Sequence, residues 1–145
     1  MPDIPLRVME NAEELKNFSF SDPLFYNPSR GRLSFEEVLE ELLGYMREKP
    51  DKVYDVIVGC DSSSSDSPEF PLAVVILRTG EGGRFFLRKI SYQNRKFYHW
   101  KMRILEEVLL SCELALTLRE ELRKKTSGLE NPPRYEFRYI HADIG

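Results

Sequence analysis

The residues best suited to chemistry are acids that close short apolar runs. Tyr54-Asp55-Val56-Ile57-Val58-Gly59-Cys60 is rich in β-branched residues and ends at Asp61, while Arg134–Ile144 reads as a second extended run that includes Asp143. If the two runs are parallel neighbours in one sheet, both carboxylates lie at the same edge. Glu107, near the start of the long helical segment between them, is the candidate third acid. Glu106 and Glu113 are alternatives for the inward position, and Arg103, four residues earlier, is an alternative partner for Glu107. Carboxylates crowded in this way repel unless a hard cation neutralises them, and Mg2+ is typically held by one or two carboxylates with water and phosphate oxygens. The plainer reading of a strand-end aspartate is a turn former or cap, since its side chain accepts backbone hydrogen bonds. Ser62 directly follows Asp61, and His141 shares a strand face with Asp143, so both are candidates to hydrogen-bond the acids from behind. For His141 the plainer reading, a satisfied core histidine, is the favoured one. Two histidines and two cysteines without zinc spacing exclude a zinc centre.

A second group is basic. From Gly82 to Leu105 there is no Asp or Glu, while Arg84, Arg88, Lys89, Arg95, Lys96, Lys101 and Arg103 are all cationic, in a chain whose net charge is -3. Phe85, Phe86, Tyr92, Phe97, Tyr98 and Trp100 are interleaved with them. Cations that meet a phosphate backbone, beside aromatics that stack on bases, are the physical requirement for seating a nucleic acid. The alternative is a strand whose aromatics are core and whose cations form its wet face. His99 in this segment reads as a solvated helix-start residue.

The elements that must position these groups follow from pattern and punctuation. Residues 1–32 carry Pro, Asn, Ser and Phe without a sustained period, which predicts an irregular arm with one short helix around Ala12–Asn17. Ser34 and Glu37 form a capping box before Phe35, Val38, Leu39, Leu42, Leu43 and Met46 at helical spacing, so a helix spans about 34–48 and ends before Pro50. After the strand to Asp61 comes a polar stretch, Ser62–Glu69, expected to form a loop over the site. Phe70–Arg78 and Arg84–Ile90 read as two antiparallel strands around the turn Thr79–Gly83. A helix over about 97–125 places Ile104, Val108, Ser111, Ala115, Leu118 and Leu122 on one stripe, with Gly128 and Pro132-Pro133 beyond its end. A doubly wound nucleotide-binding domain would put a helix directly after the first strand; here a hairpin stands in that place.

Length and composition agree with one domain. The chain has 145 residues, 41% of them hydrophobic, enough for a single core. It lacks an apolar run long enough for a membrane span and a signal-peptide start, so a cytoplasmic location with no membrane partner is expected. Cys60 and Cys112 are expected as free thiols. Oligomeric state is not encoded in any of these features.

The order of elements and the acidic positions resemble the ribonuclease H superfamily, and the local sequences resemble a bacterial group of uncharacterised ribonuclease H-like proteins of the YkuK type. The resemblance is carried by Val58-Gly59-Cys60-Asp61-Ser62-Ser63, by Thr79-Gly80-Glu81-Gly82-Gly83-Arg84-Phe85-Phe86, by Arg103 to Ala115, and by His141-Ala142-Asp143-Ile144-Gly145. It implies a ribonuclease H-like α/β fold over residues 33–145: an antiparallel three-strand meander, a long helix and a parallel strand, flanked by helices. It further implies that Asp61, Glu107 and Asp143 hold Mg2+ or Mn2+ for phosphodiester hydrolysis, with RNA, an RNA–DNA hybrid or DNA as partner. Cys60 and Ser63 depart from the Thr and Gln usual beside the first acid, and the family continues past the position of Gly145 into a further strand and helix. The rival expectations are a non-catalytic module that binds nucleic acid or a protein partner, and a metal-dependent adhesion domain. The second rests on Asp61-Ser62-Ser63-Ser64-Ser65, which resembles the Asp-x-Ser-x-Ser cation motif of von Willebrand A-type domains.

Overall fold

Three consecutive runs of alternating burial build the centre of the fold. The computed structural model describes residues 20–138 and the backbone of Leu6–Met9. In chain order the elements are β1 (Leu6–Met9), β2 (Phe25–Asn27), β3 (Gly31–Leu33), α1 (Phe35–Glu48), β4 (Val53–Cys60), β5 (Phe70–Arg78), β6 (Gly82–Tyr92), α2 (Trp100–Thr126) and β7 (Arg134–Phe137). Tyr54, Val56, Val58 and Cys60 of β4 face inward with Phe70, Leu72, Val74 and Ile76 of β5 and Phe86, Ile90 and Tyr92 of β6. The period of two sends their neighbours to the opposite, half-open face, where Leu77 and Phe85 are exposed.

The sheet order is β3-β2-β6-β5-β4-β7, with β1 also paired to β6. β4, β5 and β6 form an antiparallel meander, and β7 lies parallel to β4 with Val53–Val56 opposite Arg134–Phe137. Parallel pairing needs a crossover, which α2 provides. The mixed α/β sheet expected for a ribonuclease H-like chain is therefore present. At the β5–β6 turn, Gly83 packs against the facing strand so closely that a Cβ there would meet the Ile76 carbonyl oxygen at 1.9 Å.

Both helices pack on the inward face of the sheet. α1 begins at the Ser34 capping box, where Ser34 Oγ accepts from the Glu37 amide and Glu37 Oε1 accepts from the Ser34 amide. Its apolar face buries Val38, Leu39, Leu42 and Met46 completely. α2 buries Leu110, Leu114, Leu118 and Leu122, together with the polar Glu106, Glu107 and Ser111. Of the stripe expected from spacing, Ser111, Leu118 and Leu122 are buried, whereas Ile104, Val108 and Ala115 are only half-buried. The reason is that α2 is apolar on two sides, with Met102, Leu105, Leu109 and Leu116 exposed on the outer one. Helical spacing cannot tell which of two apolar stripes meets the sheet.

The arm also differs from expectation. Instead of being irregular it contributes three short strands, and β2 and β3 form a hairpin in which Asn27 Oδ1 accepts from the amides of Ser29 and Arg30. Strands of three or four residues are too short to leave a period in sequence. The helix expected at Ala12–Asn17 lies outside the described residues. Cys60 and Cys112 are free, and no helix among the described residues is long and apolar enough to cross a membrane.

Candidate metal centre and its basic rim

β4 carries the chain from Val53 on one side of the sheet to Cys60 on the other, and Asp61 emerges at once as an exposed residue. α2 crosses the same end with its first turns, so that Glu107 is brought to the end of β4 in a setting only 4% exposed. The Ser62 hydroxyl donates to Glu107 Oε2 at 3.3 Å. Burial pushes the Glu107 carboxyl above the ordinary glutamate range; the Asp61 charge adds to that, while the Ser62 amide and hydroxyl and the Arg103 charge oppose it. A carboxyl raised chiefly by burial, with a second acid beside it, marks a candidate site for a cation.

The choice among Glu106, Glu107 and Glu113 is resolved by partners. Glu106 is 1% exposed and is held from the other side of α2: Tyr92, at the end of β6, donates its phenol to Glu106 Oε2, and Arg95 Nη1 donates to Oε1 at 2.9 Å. Burial and that hydrogen bond raise the Tyr92 phenol well above its usual value, which keeps it a donor. Glu113 is half-buried about two turns further along the helix. Glu107 is thus the acid beside Asp61. The Arg103 pairing also resolves: its Nη1 donates to the Ser63 carbonyl at 3.2 Å, tying α2 to the serine loop.

Around this pair the donors are oxygen atoms. The Cys60 thiol is pushed up by burial and by the charges of Glu107, Asp61 and Glu106, so it stays protonated and is a poor metal ligand. Ser111, one turn beyond Glu107 and 1% exposed, has its hydroxyl buried without a hydrogen-bond partner. Two carboxylates and hydroxyls suit a hard divalent cation such as Mg2+ or Mn2+. Among the described residues no three His, Cys, Asp or Glu side chains gather as a complete metal cage. Asp143 and His141 stand beyond β7 and lie outside the described residues.

The serine loop is closed on itself. Ser63 N–H donates to the Glu69 carbonyl at 3.2 Å, and Glu69 N–H donates to Ser63 Oγ at 3.1 Å. Ser65 Oγ accepts from the Ser67 amide. The hydroxyls of the Asp-x-Ser-x-Ser motif are therefore engaged within the loop, and a strand, β5, follows it where an adhesion domain requires a helix. Outside the loop, Phe97 N–H donates to the Asp66 carbonyl at 2.7 Å and Lys96 Nζ donates to Ser67 Oγ at 2.6 Å, so the loop and the segment before α2 run side by side.

The seven cations of the basic segment divide by position. Arg84 sits near α1, paired with Glu41 and Glu48. Arg88 is fully buried, its guanidinium 5.9 Å from the centroid of the Phe25 ring, and no surface ligand can reach it. Lys89 pairs with Glu69, and Arg95 is spent on Glu106. Arg103 acts on Glu107 by its charge, while Lys96, bonded to Ser67, and Lys101, over the Trp100 ring, stand about the start of α2. The parity of Arg88 with Phe86 and Ile90 was a readable sign of burial, and the parity of Tyr92 with them was the sign that could have found the Glu106 network. His99 is the N-cap of α2, its Nδ1 accepting from the Lys101 amide at 3.2 Å.

The class is shown by comparison: a family profile described as Ribonuclease H-like matches residues 37–145, and the chain belongs to that family. Among individual proteins, it is similar to the Uncharacterized protein YkuK of Bacillus subtilis (strain 168), with 35% identity over 93 residues that make up 63% of this chain and 54% of the relative. The chain thus spans about half the length of that curated relative. No solved structure matches it.

Proposed function

We propose that this chain is a divalent-metal-dependent nuclease that hydrolyses phosphodiester bonds. The observation that supports this reading best is the meeting of Asp61 and buried Glu107 at the end of the central strand, within a ribonuclease H-like fold. Asp61 and Glu107, joined by Asp143, would hold Mg2+ or Mn2+. When bound, such an ion supplies an activated water and neutralises charge on the leaving oxygen. The rest falls to the chain's own groups. Ser62 orients the Glu107 carboxylate by donating to it. Arg103 holds the serine loop beside the acids, and Lys96 and Lys101 offer charge to a phosphate backbone.

The test is cleavage of RNA, an RNA–DNA hybrid and single-stranded DNA in the presence of Mn2+, with Asp61→Asn as the control. Cleavage lost in Asp61→Asn is expected. If no substrate is cut, or if Asp61→Asn cuts as well as the parent, the reading fails. A second reading, a nucleic-acid-binding module without hydrolysis, is favoured by the exposed Tyr98 and Trp100 rings with Lys101 beside them, which can hold a strand without a metal. Metal-independent binding that survives Asp61→Asn would support it.

A further inference from the structure

The start of α2 is built differently from the start of α1. α1 has Glu36 and Glu37 in its first turn, where acids offset the positive end of the helix dipole. α2 has no acid in its first turn; His99 caps it, and Lys101 and Arg103 follow. The positive end of the helix dipole and the charges of Lys101 and Arg103 are therefore left together at the exposed end of a 27-residue helix. Beside them stand two aromatic rings that the core does not use: Tyr98 is 75% exposed and Trp100 49% exposed. His99 stacks on Trp100 with centroids 5.8 Å apart, and Lys101 Nζ lies 5.6 Å from the Trp100 centroid. Exposing large aromatic surface costs hydrophobic free energy unless a partner covers it.

The position of this patch is fixed by the contacts already described. Phe97 is bonded to the serine loop at Asp66, and Arg103 to the same loop at Ser63, two residues past Asp61. Along the helix axis Trp100 precedes Glu107 by about 10 Å at 1.5 Å per residue.

We infer that Tyr98 and Trp100 form a stacking platform, with Lys96, Lys101 and Arg103 as its phosphate contacts, that seats unpaired bases of single-stranded nucleic acid beside the acidic pair. Flat rings with neighbouring cations match single strands, whose bases offer free faces; the bases of a duplex are stacked on one another and offer none. The ligand chemistry is an unpaired base with its phosphate, common to RNA and DNA. This inference takes only its location from the nuclease reading and stands or falls separately from it.

Trp100 is the single tryptophan of the chain, so its emission reports on the platform alone. The Asp61→Asn protein, in buffer without divalent metal, is titrated with oligo-dT, oligo-U and a mixed-sequence duplex, each about 8 nucleotides long per strand. Saturable quenching by both single strands is expected, stronger than that by the duplex and weakened by salt. Tyr98→Ala is expected to weaken single-strand binding by about 5- to 150-fold, while Tyr98→Phe, which keeps the ring, binds like the parent. Since Tyr98 is exposed, both variants are expected to keep the parent's circular dichroism spectrum. Equal or stronger quenching by the duplex overturns the proposal, as does single-strand binding indifferent to Tyr98→Ala. Trp100 emission that shifts with protein concentration but not with oligonucleotide also overturns it, and assigns the rings to contact between copies of the chain. Failure to cut any substrate leaves these outcomes unaffected and bears on the nuclease reading alone.

Discussion

Arg95→Ala removes a cation that faces a carboxylate sealed in the core. Glu106 is 1% exposed, and Arg95, 37% exposed, approaches it at 2.9 Å. Removing one partner of a fully buried ion pair costs about 3–5 kcal/mol because the other charge is stranded. Arg95 is more than a third exposed, so water already screens the pair and can partly replace the guanidinium; the expected loss falls to about 1–3 kcal/mol. In a chain of this size that corresponds to a Tm lower by about 3–10 °C. Tyr92 still donates to Glu106 in the variant, which prevents the full penalty.

The diagnostic comparison is the double variant Arg95→Ala/Glu106→Gln. A neutral amide in the same place needs no cation and can still accept from Tyr92. Urea unfolding followed by circular dichroism should therefore show the double variant losing clearly less than the sum of the two single variants, with a coupling of about 1 kcal/mol or more. Strict additivity would refute the argument that Arg95 acts through the buried charge. A basic residue that served only a ligand would also leave stability unchanged when removed.

Two further outcomes follow from the same end of the sheet. A glutamate whose pKa is raised in the fold binds its proton more tightly there than in the unfolded chain, so its contribution to stability is full below the unfolded value of about 4.3 and is lost as pH rises through the folded value. Glu107→Gln is therefore expected to raise Tm at neutral pH without divalent metal, with the gain shrinking towards pH ~4; a gain independent of pH in thermal melts would contradict the burial of a charged Glu107. The Cys60 thiol, buried and held protonated by three nearby acids, is expected to resist alkylation at neutral pH, whereas Cys112, partly accessible, reacts first; mass spectrometry of the alkylated peptides decides, and faster labelling of Cys60 would count against the site as described.

What could be read from the sequence was whatever a single element states by itself. The Ser34–Glu37 box and the apolar spacing after it specify α1 locally, and β5 runs over Phe70–Arg78 as its alternation indicates. Asp61 could be read as well, because a strand and its end are contiguous in the chain. The partners of the acid could not, because they depend on the rotation of α2. Glu106 and Glu107 are adjacent, both are buried, and a rotation of about 100° per residue separates their fates: one closes against Tyr92 and Arg95, the other meets Ser62 and Asp61. With apolar residues on both sides of the helix, no count of hydrophobic positions could distinguish those rotations. The network that does so is polar. By holding Glu106, Tyr92 and Arg95 fix the side of α2 that faces the strand end, so the acid that looks inert turns Glu107 towards Asp61. The basic segment thus has two physical roles: Arg95 orients the helix from behind, while Lys96, Lys101 and Arg103 stand around its exposed start.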